Sequence, residues 1–126
     1  MFANSKAFSG FAVDDVQNAQ DFYGKTLGLD VAVLDAENGL LSINLAGDRN
    51  TLVYFKPDFA PATYTILNFP VEHIDEVVDE LSARGVSFEH YDGFDQDEKG
   101  ISREPGPKIA WFRDPAGNIL SVLEQR

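Results

Sequence analysis

Two histidines, His73 and His90, are the residues best suited to acid–base chemistry near neutral pH. His90 precedes a charged segment and could act as a general base or as an unusual metal ligand. The competing interpretation is an exposed loop histidine. His73 occupies the start of a predicted helix, where a capping or exposed role is favoured. His90 is therefore the catalytic candidate.

The segment that follows His90 carries a cluster of carboxylates, but it lacks the alternating ligands, central glycine and terminal glutamate of a calcium loop. A solvated lid is the favoured interpretation. Trp111 lies on a predicted strand, where it could either stack on a planar ligand or pack in the core or a dimer interface. The chain has no cysteine, which excludes disulfides and thiolate chemistry. The acidic cluster comprises Asp92, Asp95, Asp97 and Glu98.

Composition narrows the classes of partner. The 126 residues carry a formal net charge of −11, which disfavours binding to nucleic acid or to an anionic membrane. The same charge either maintains solubility or attracts a cationic ligand. No stretch resembles a signal peptide or a membrane span, so we expect a cytoplasmic protein.

The first half of the chain predicts a strand, a helix and three further strands. Residues 7–13 are strand-like, Asp14 is the predicted helix N-cap with Gln17 as its partner, and Gly28 ends the helix. The helix carries an apolar stripe at helical spacing. Strands are expected at 29–34, 40–45 and 51–55, with Asn38-Gly39 as a hairpin turn between the first two.

The second half repeats this order. We expect strands at 64–71, 86–89, 109–113 and 118–123, and a helix from residues 72–75 to Gly85. Val13, Asp15 and Asn50 correspond to Val71, His73 and Asn118. The sequence predicts two βαβββ modules, at about 7–56 and 64–126, joined by a linker at about 57–63. The extra length of the second module lies in 91–107, a segment typical of a functional lid or of disorder.

Phe22-Tyr23, Leu27-Gly28-Leu29 and Asp114-Pro115-Ala116-Gly117-Asn118 stand at fixed places in this plan. With these motifs the chain resembles the vicinal oxygen chelate superfamily, which includes glyoxalase I, extradiol dioxygenases and bleomycin-resistance proteins. The resemblance implies an α+β fold in which two tandem βαβββ modules with curved mixed sheets enclose a cavity. It also implies a homodimer.

Enzymes of this superfamily typically bind a divalent metal through His, Gln or Glu side chains on inward-facing strand positions. The resemblance places these positions on Phe8, Val53, Ile66 and Ser121. A shift of one residue would substitute Ser9, Leu52, Leu67 or Leu120. Neither set offers an imidazole or a carboxylate, so the sequence predicts no metal site and no cofactor.

Strand alternation predicts which residues line the cavity and which face the helices. Ser9, Phe11 and Val13 are expected to face the helix. The residues on the opposite side are expected to line the cavity. The competing interpretation is that they fill a closed core. The predicted ligand-binding residues are Phe8, Gly10, Thr51, Val53, Phe55, Ile66, Asn68, Tyr91, Trp111, Ile119 and Ser121.

These expectations favour a metal-independent protein that binds a small apolar or cationic molecule. The first alternative is a lyase, isomerase or dioxygenase-type enzyme that uses displaced residues such as His90, Glu89 or Glu104. The second is a dimeric structural or regulatory module with a filled core.

Overall fold

A computed structural model describes residues 1–125. Within them the chain divides into two compact units, one ending at Ala60 and the other beginning at Pro61. No helix in the described part of the chain is long and apolar enough to cross a membrane.

The first unit contains a four-stranded mixed sheet with the strand order β1-β4-β3-β2. The edge strand β1 runs parallel to β4, and the remaining neighbours are antiparallel. A β-bulge between Val33 and Asp35 shifts the pairing of β2 with β3. The strands are β1 Ser9–Val13, β2 Asp30–Asp35, β3 Leu40–Asn44 and β4 Thr51–Phe55.

The helix of the first unit, α1, covers Val16–Asp21 and continues as a π-helical stretch over Phe22–Thr26. Its N-cap is Asp15, whose side chain accepts a hydrogen bond from the Asn18 backbone N–H at 2.9 Å. The prediction of Asp14 as the cap, with Gln17 as its partner, was therefore wrong by one residue. The cause is that two adjacent aspartates carry the same capping signal.

Gly39 allows the β2–β3 turn to pack against β4. It adopts a φ of 70°, and a Cβ at this position would lie 2.8 Å from the Cβ of Phe55. Only glycine meets both requirements without strain.

The second unit contains a three-stranded sheet with the order β5-β7-β6. The edge strand β5, Thr65–Val71, pairs parallel with β7, Ile119–Glu124, which pairs antiparallel with β6, Ile109–Arg113. Pro70 lies near the end of β5 as expected, because an edge strand tolerates a missing N–H donor. The strand predicted at 86–89 is reduced to a single bridge between Phe88 and Phe112.

Helix α2, Ile74–Ala83, covers one face of this second sheet with the buried side chains of Ile74, Val78 and Leu81. His73 is at the N-cap but makes no side-chain capping bond. The Ile74 N–H is instead bonded by the Glu124 carboxylate of β7 at 3.1 Å.

Candidate functional site

The second sheet has one face buried under α2, and its opposite face carries the candidate site. Residues paired across neighbouring strands point to the same side of a sheet. Leu120 pairs with Phe112, and both are fully buried. Ser121 pairs with Trp111 on one side and with Asn68 on the other, so these three share the opposite face. The predicted common facing of Asn68 and Ser121 is thus correct.

An aromatic cluster lies on this face. The ring centroids of Tyr91 and Trp111 are 5.7 Å apart, and those of Phe94 and Trp111 are 5.3 Å apart. Tyr91 and Phe94 complete the triangle at 6.1 Å. All three pairs are tilted or edge-to-face, which is the favoured geometry for aromatic contacts. The three rings therefore form a continuous wall, which we call the aromatic wall.

The aromatic wall borders a recess of about 270 Å³. This volume is at the small end of the roughly 300–1,000 Å³ range of ligand pockets, which suits a molecule of one or two rings. None of the described lining residues is charged. The lining consists of Thr63, Tyr64, Thr65, Tyr91, Phe94, Trp111 and Ile119.

Tyr91 combines a place in this lining with a buried hydroxyl. Its Oη is inaccessible to solvent and has no hydrogen-bond partner among the described residues. Burial raises the pKa of the Tyr91 phenol, and the nearby Glu89 carboxylate raises it further, while Arg113 opposes both. The hydroxyl is therefore protonated at neutral pH and able to donate.

Gln96 fixes the backbone that carries Tyr91 and Phe94. Its Oε1 accepts from the Tyr91 N–H at 2.7 Å. Its Nε2 donates to the carbonyl oxygens of Glu89, at 2.9 Å, and Gly100, at 2.7 Å. The Gln96 side chain thus joins the backbone of residues 89, 91 and 100 through three hydrogen bonds.

The same segment is tied to α2 by charged groups. Arg103 donates to the Asp75 carboxylate at 2.7 Å and, through Nε, to Asp97 at 3.0 Å. Lys99 reaches Asp79 of the helix at 2.9 Å. The solvated lid predicted for the acidic cluster was thus wrong for Asp97, because its carboxylate is held by Arg103 and by the N–H groups of Lys99 and Ile101.

These contacts shift the pKa values of the two carboxyls. Hydrogen bonds from Arg103 lower the pKa of Asp75, because they favour the charged form. Burial by itself would raise the pKa of Asp97. The hydrogen bonds from Ile101, Arg103 and Lys99 outweigh it and lower that pKa as well. The pKa of Lys99 is raised chiefly by its bond to Asp79.

In the first unit the strand register corrects the predicted facing of β4. Thr51 pairs with Ser9, and Val53 pairs with Phe11. Phe11 contacts Tyr23, in the π-helical stretch that continues α1, with ring centroids 5.7 Å apart. The β4 residues predicted to line the cavity therefore lie on the helix-facing side, and Leu52 and Tyr54 take the opposite side with Gly10. The residues placed wrongly are Thr51, Val53 and Phe55.

The two other first-unit candidates lie at or before the edge strand. Phe8 precedes β1 and is 72% exposed. Gly10 lies within β1, where a Cβ would meet the Leu52 Cβ at 3.5 Å. That both residues lie on the side of the sheet opposite to Phe11 stays a prediction.

The positions at which family enzymes hold their metal carry side chains that do not fit one. In the observed register Leu52, and not Val53, pairs with Gly10 and lies on the same side of the sheet. Ser121 is fully buried, and its hydroxyl is bonded to Asn68 Oδ1 at 2.6 Å. Phe8, Leu52 and Ile66 have no donor atom for a cation. Among residues 1–125 no three His, Asp or Glu side chains converge on a common point that could hold a metal ion.

Two further candidates have less defined roles. Ile66 coincides with a register shift between Thr65 and Leu67, so strand pairing does not fix its facing. His90 is exposed and is absent from the described lining of the recess. Of the other displaced residues, Glu89 forms an ion pair with Arg113, and Glu104 is exposed.

A larger depression of about 670 Å³ lies at the start of α2. Three of its polar groups already serve the fold. Glu124 binds the Ile74 N–H and lies 3.6 Å from Lys108, and Asp75 binds Arg103. Its described lining consists only of titratable side chains, whereas that of the recess carries no charge.

Several recess residues were absent from the predicted set. Thr63, Tyr64 and Thr65 lie in the chain just before and at the start of β5, where the sequence indicated only a linker and a strand. Phe94 did carry a signal, because it is the one large apolar residue within the otherwise polar stretch 92–100.

Comparison with known proteins defines the family of this fold. Residues 7–122 match the Glyoxalase/Bleomycin resistance protein/Dioxygenase superfamily. The chain belongs to this superfamily, and both the resemblance and the α+β fold class are confirmed.

Individual relatives are distant. The uncharacterized protein YraH of Bacillus subtilis (strain 168) is 26% identical over 125 residues, covering 89% of this chain and 91% of YraH. A putative glyoxalase family protein from Bacillus anthracis has a TM-score of 0.70 at 22% identity, with 100% of both chains covered. The antibiotic binding protein TnmS3 from Streptomyces sp. CB03234 has a TM-score of 0.68 at 22% identity, with 98% of both chains covered.

Proposed function

We propose that this protein binds a small, planar, uncharged molecule in the recess of its second unit without using a metal. The observation that carries the proposal is the aromatic wall of Tyr91, Phe94 and Trp111 beside a recess of about 270 Å³. Flat rings stack on such side chains with little conformational cost.

The lining favours an apolar ligand over a cationic one. No carboxylate lies among the described lining residues, and the nearby Glu89 is paired with Arg113. A cation entering the recess would gain the attraction of the aromatic faces, but no carboxylate there would offset the loss of its hydration. The net charge of −11 then serves solubility rather than recognition.

Binding without a metal is supported by the chemistry of the family's ligand positions. Phe8, Leu52 and Ile66 offer only carbon, and the Ser121 hydroxyl is engaged with Asn68. A single neutral hydroxyl does not hold a divalent cation. TnmS3, which shares the fold, is an antibiotic binding protein, and this supports a binding role for the present chain.

Trp111 is the single tryptophan of the chain, so its fluorescence reports on the recess. We expect a panel of planar one- and two-ring compounds, including naphthalene, to change its emission in a saturable manner. Phe94→Ala removes one side of the aromatic wall and should weaken binding by about 5- to 150-fold, given the loss of roughly 1–3 kcal/mol of apolar contact. Metal content should be measured on the same sample by mass spectrometry.

Phe2→Ala is the matched control. Phe2 is exposed like Phe94, at 79% against 56%, but is absent from the described recess lining. It should leave binding unchanged. Absence of saturable binding across the panel, or equal weakening by both substitutions, would contradict a ligand site at the recess. Stoichiometric, tightly held metal would contradict the metal-free mechanism.

A further inference from the structure

The buried hydroxyl of Tyr91 is an exception to the rule that buried polar groups are hydrogen-bonded. Tyr91 Oη has no partner among residues 1–125, whereas the large majority of buried polar side-chain atoms are hydrogen-bonded. Leaving such a group unpaired opposes folding. A site that keeps the hydroxyl in spite of this has a use for it.

The surroundings restrict that use. The Tyr91 ring borders the recess and contacts Trp111 at 5.7 Å between centroids. Two charged groups, Glu89 and Arg113, act on the phenol, and they form an ion pair with each other. Burial favours the protonated phenol, so the hydroxyl has a proton to give and no protein acceptor to take it.

We infer that the ligand carries a hydrogen-bond acceptor, such as a ring nitrogen or a carbonyl oxygen, that bonds to Tyr91 Oη. Tyr91 is then the residue that distinguishes acceptor-bearing planar molecules from plain aromatic hydrocarbons. This inference rests on the proposed binding function and specifies its ligand class. Because the hydroxyl is buried in the structure, this bond requires the Tyr91 ring to move when the ligand enters the recess.

Quinoline and naphthalene test this inference, because they have the same shape and differ by one acceptor nitrogen. Their dissociation constants for the intact protein can be measured by ligand-observed NMR. We expect quinoline to bind about five- to tenfold more tightly than naphthalene, the value of one neutral hydrogen bond. Tyr91→Phe should abolish this preference by weakening quinoline binding alone.

Tyr54→Phe is the matched control, since Tyr54 lies on β4 of the first unit and is absent from the described lining of the recess. It should keep the preference. Equal binding of both compounds to wild type, or an unchanged preference in Tyr91→Phe, would overturn the inference and leave the proposed function standing. Failure of both compounds to bind would overturn both.

The thermal midpoint of Tyr91→Phe gives a second, independent readout. Because the variant removes a buried unpaired group, its midpoint without ligand should equal or exceed that of wild type. A fall of several degrees would show that the hydroxyl has a protein partner in solution, and would overturn the inference.

Discussion

At the scale of single residues, the turn Asp114-Pro115-Ala116-Gly117-Asn118 is defined by hydrogen bonds. The Asp114 carboxylate accepts from the Asn118 N–H at 2.8 Å and from its Nδ2 at 3.2 Å. Asn118 Oδ1 accepts in turn from the Ala62 N–H at 3.1 Å. Both side chains are buried, 4% and 2% exposed. The motif recognised in the sequence is therefore a buried polar network that fixes the start of β7.

Asn118→Ala should lower the free energy of unfolding by about 2 kcal/mol, because it leaves a backbone N–H and one carboxylate oxygen without this partner in the interior. Urea denaturation provides the measurement. Asn38→Ala is the control, since Asn38 also bonds an aspartate, Asp35, but at the surface. A comparable loss in both variants would show that the buried network contributes nothing of its own.

Ser121 illustrates how far one position can be interpreted from sequence. Its residue type predicted the loss of a metal ligand, and alternation predicted its common facing with Asn68. The bond between the two side chains, at 2.6 Å, depends on the parallel register of β5 with β7, which residue types do not encode locally.

At the scale of elements, strand register decided which predictions of facing were correct. Side chains alternate with a period of two, so a slip of one residue reverses every facing along a strand. On β7 the assumed phase was right. On β4 it was wrong, because Thr51 pairs with Ser9 and Val53 with Phe11, and sequence alternation gives no absolute phase.

Helix α2 shows a similar dependence on partners distant in the sequence. The repeat indicated that His73 would occupy the position of Asp15, and it does. Its side chain provides no cap, and Glu124 of β7 supplies the acceptor instead. A cap from a distant strand leaves no local sequence signal.

The links between Arg103 and the two carboxylates predict a pH-dependent stability. The pKa values of Asp75 and Asp97 are lowered in the folded protein from 3.8, so below that value the unfolded chain binds more protons than the native state. The stabilisation is complete above pH 3.8 and declines as the pH falls toward the lowered values. Chemical denaturation at several pH values should show Arg103→Met less stable than wild type at pH 7, with the difference shrinking below 3.8.

Arg84→Met is the control for this experiment. Arg84 pairs with Glu80 four residues earlier on an exposed side of α2, where ion pairs contribute little. The variant should differ less from wild type at neutral pH. A difference between Arg103→Met and wild type that stays constant through acid pH would contradict the assigned role of the carboxylates.

At the scale of the whole molecule, both units expose large apolar side chains. Phe8, Leu34 and Phe55 are 72%, 58% and 47% exposed in the first unit, and Tyr64 is 70% exposed in the second. Scattered apolar residues are ordinary on a surface, but several of this size suit an interface.

We predict a homodimer, as the family resemblance implies. Light scattering at micromolar concentration should give twice the mass of the chain. Phe8→Asp, which places a charge on an exposed apolar position of the edge-strand region, should shift the equilibrium toward monomer, with Phe2→Asp as control. A monomeric wild-type protein under these conditions would contradict the prediction.

The sequence by itself determined the superfamily and the α+β class, because these follow from residue types, turn motifs and apolar spacing. The absence of a metal site stays a prediction from residue types. Only the tertiary structure decided which face β4 presents, and which residues gather around Trp111. Tyr64 lies just before β5, whereas Tyr91 and Phe94 belong to one segment that Gln96 and Arg103 hold beside Trp111 on β6. Such a site arises from long-range pairing and side-chain hydrogen bonds, whose register and partners a local pattern does not specify.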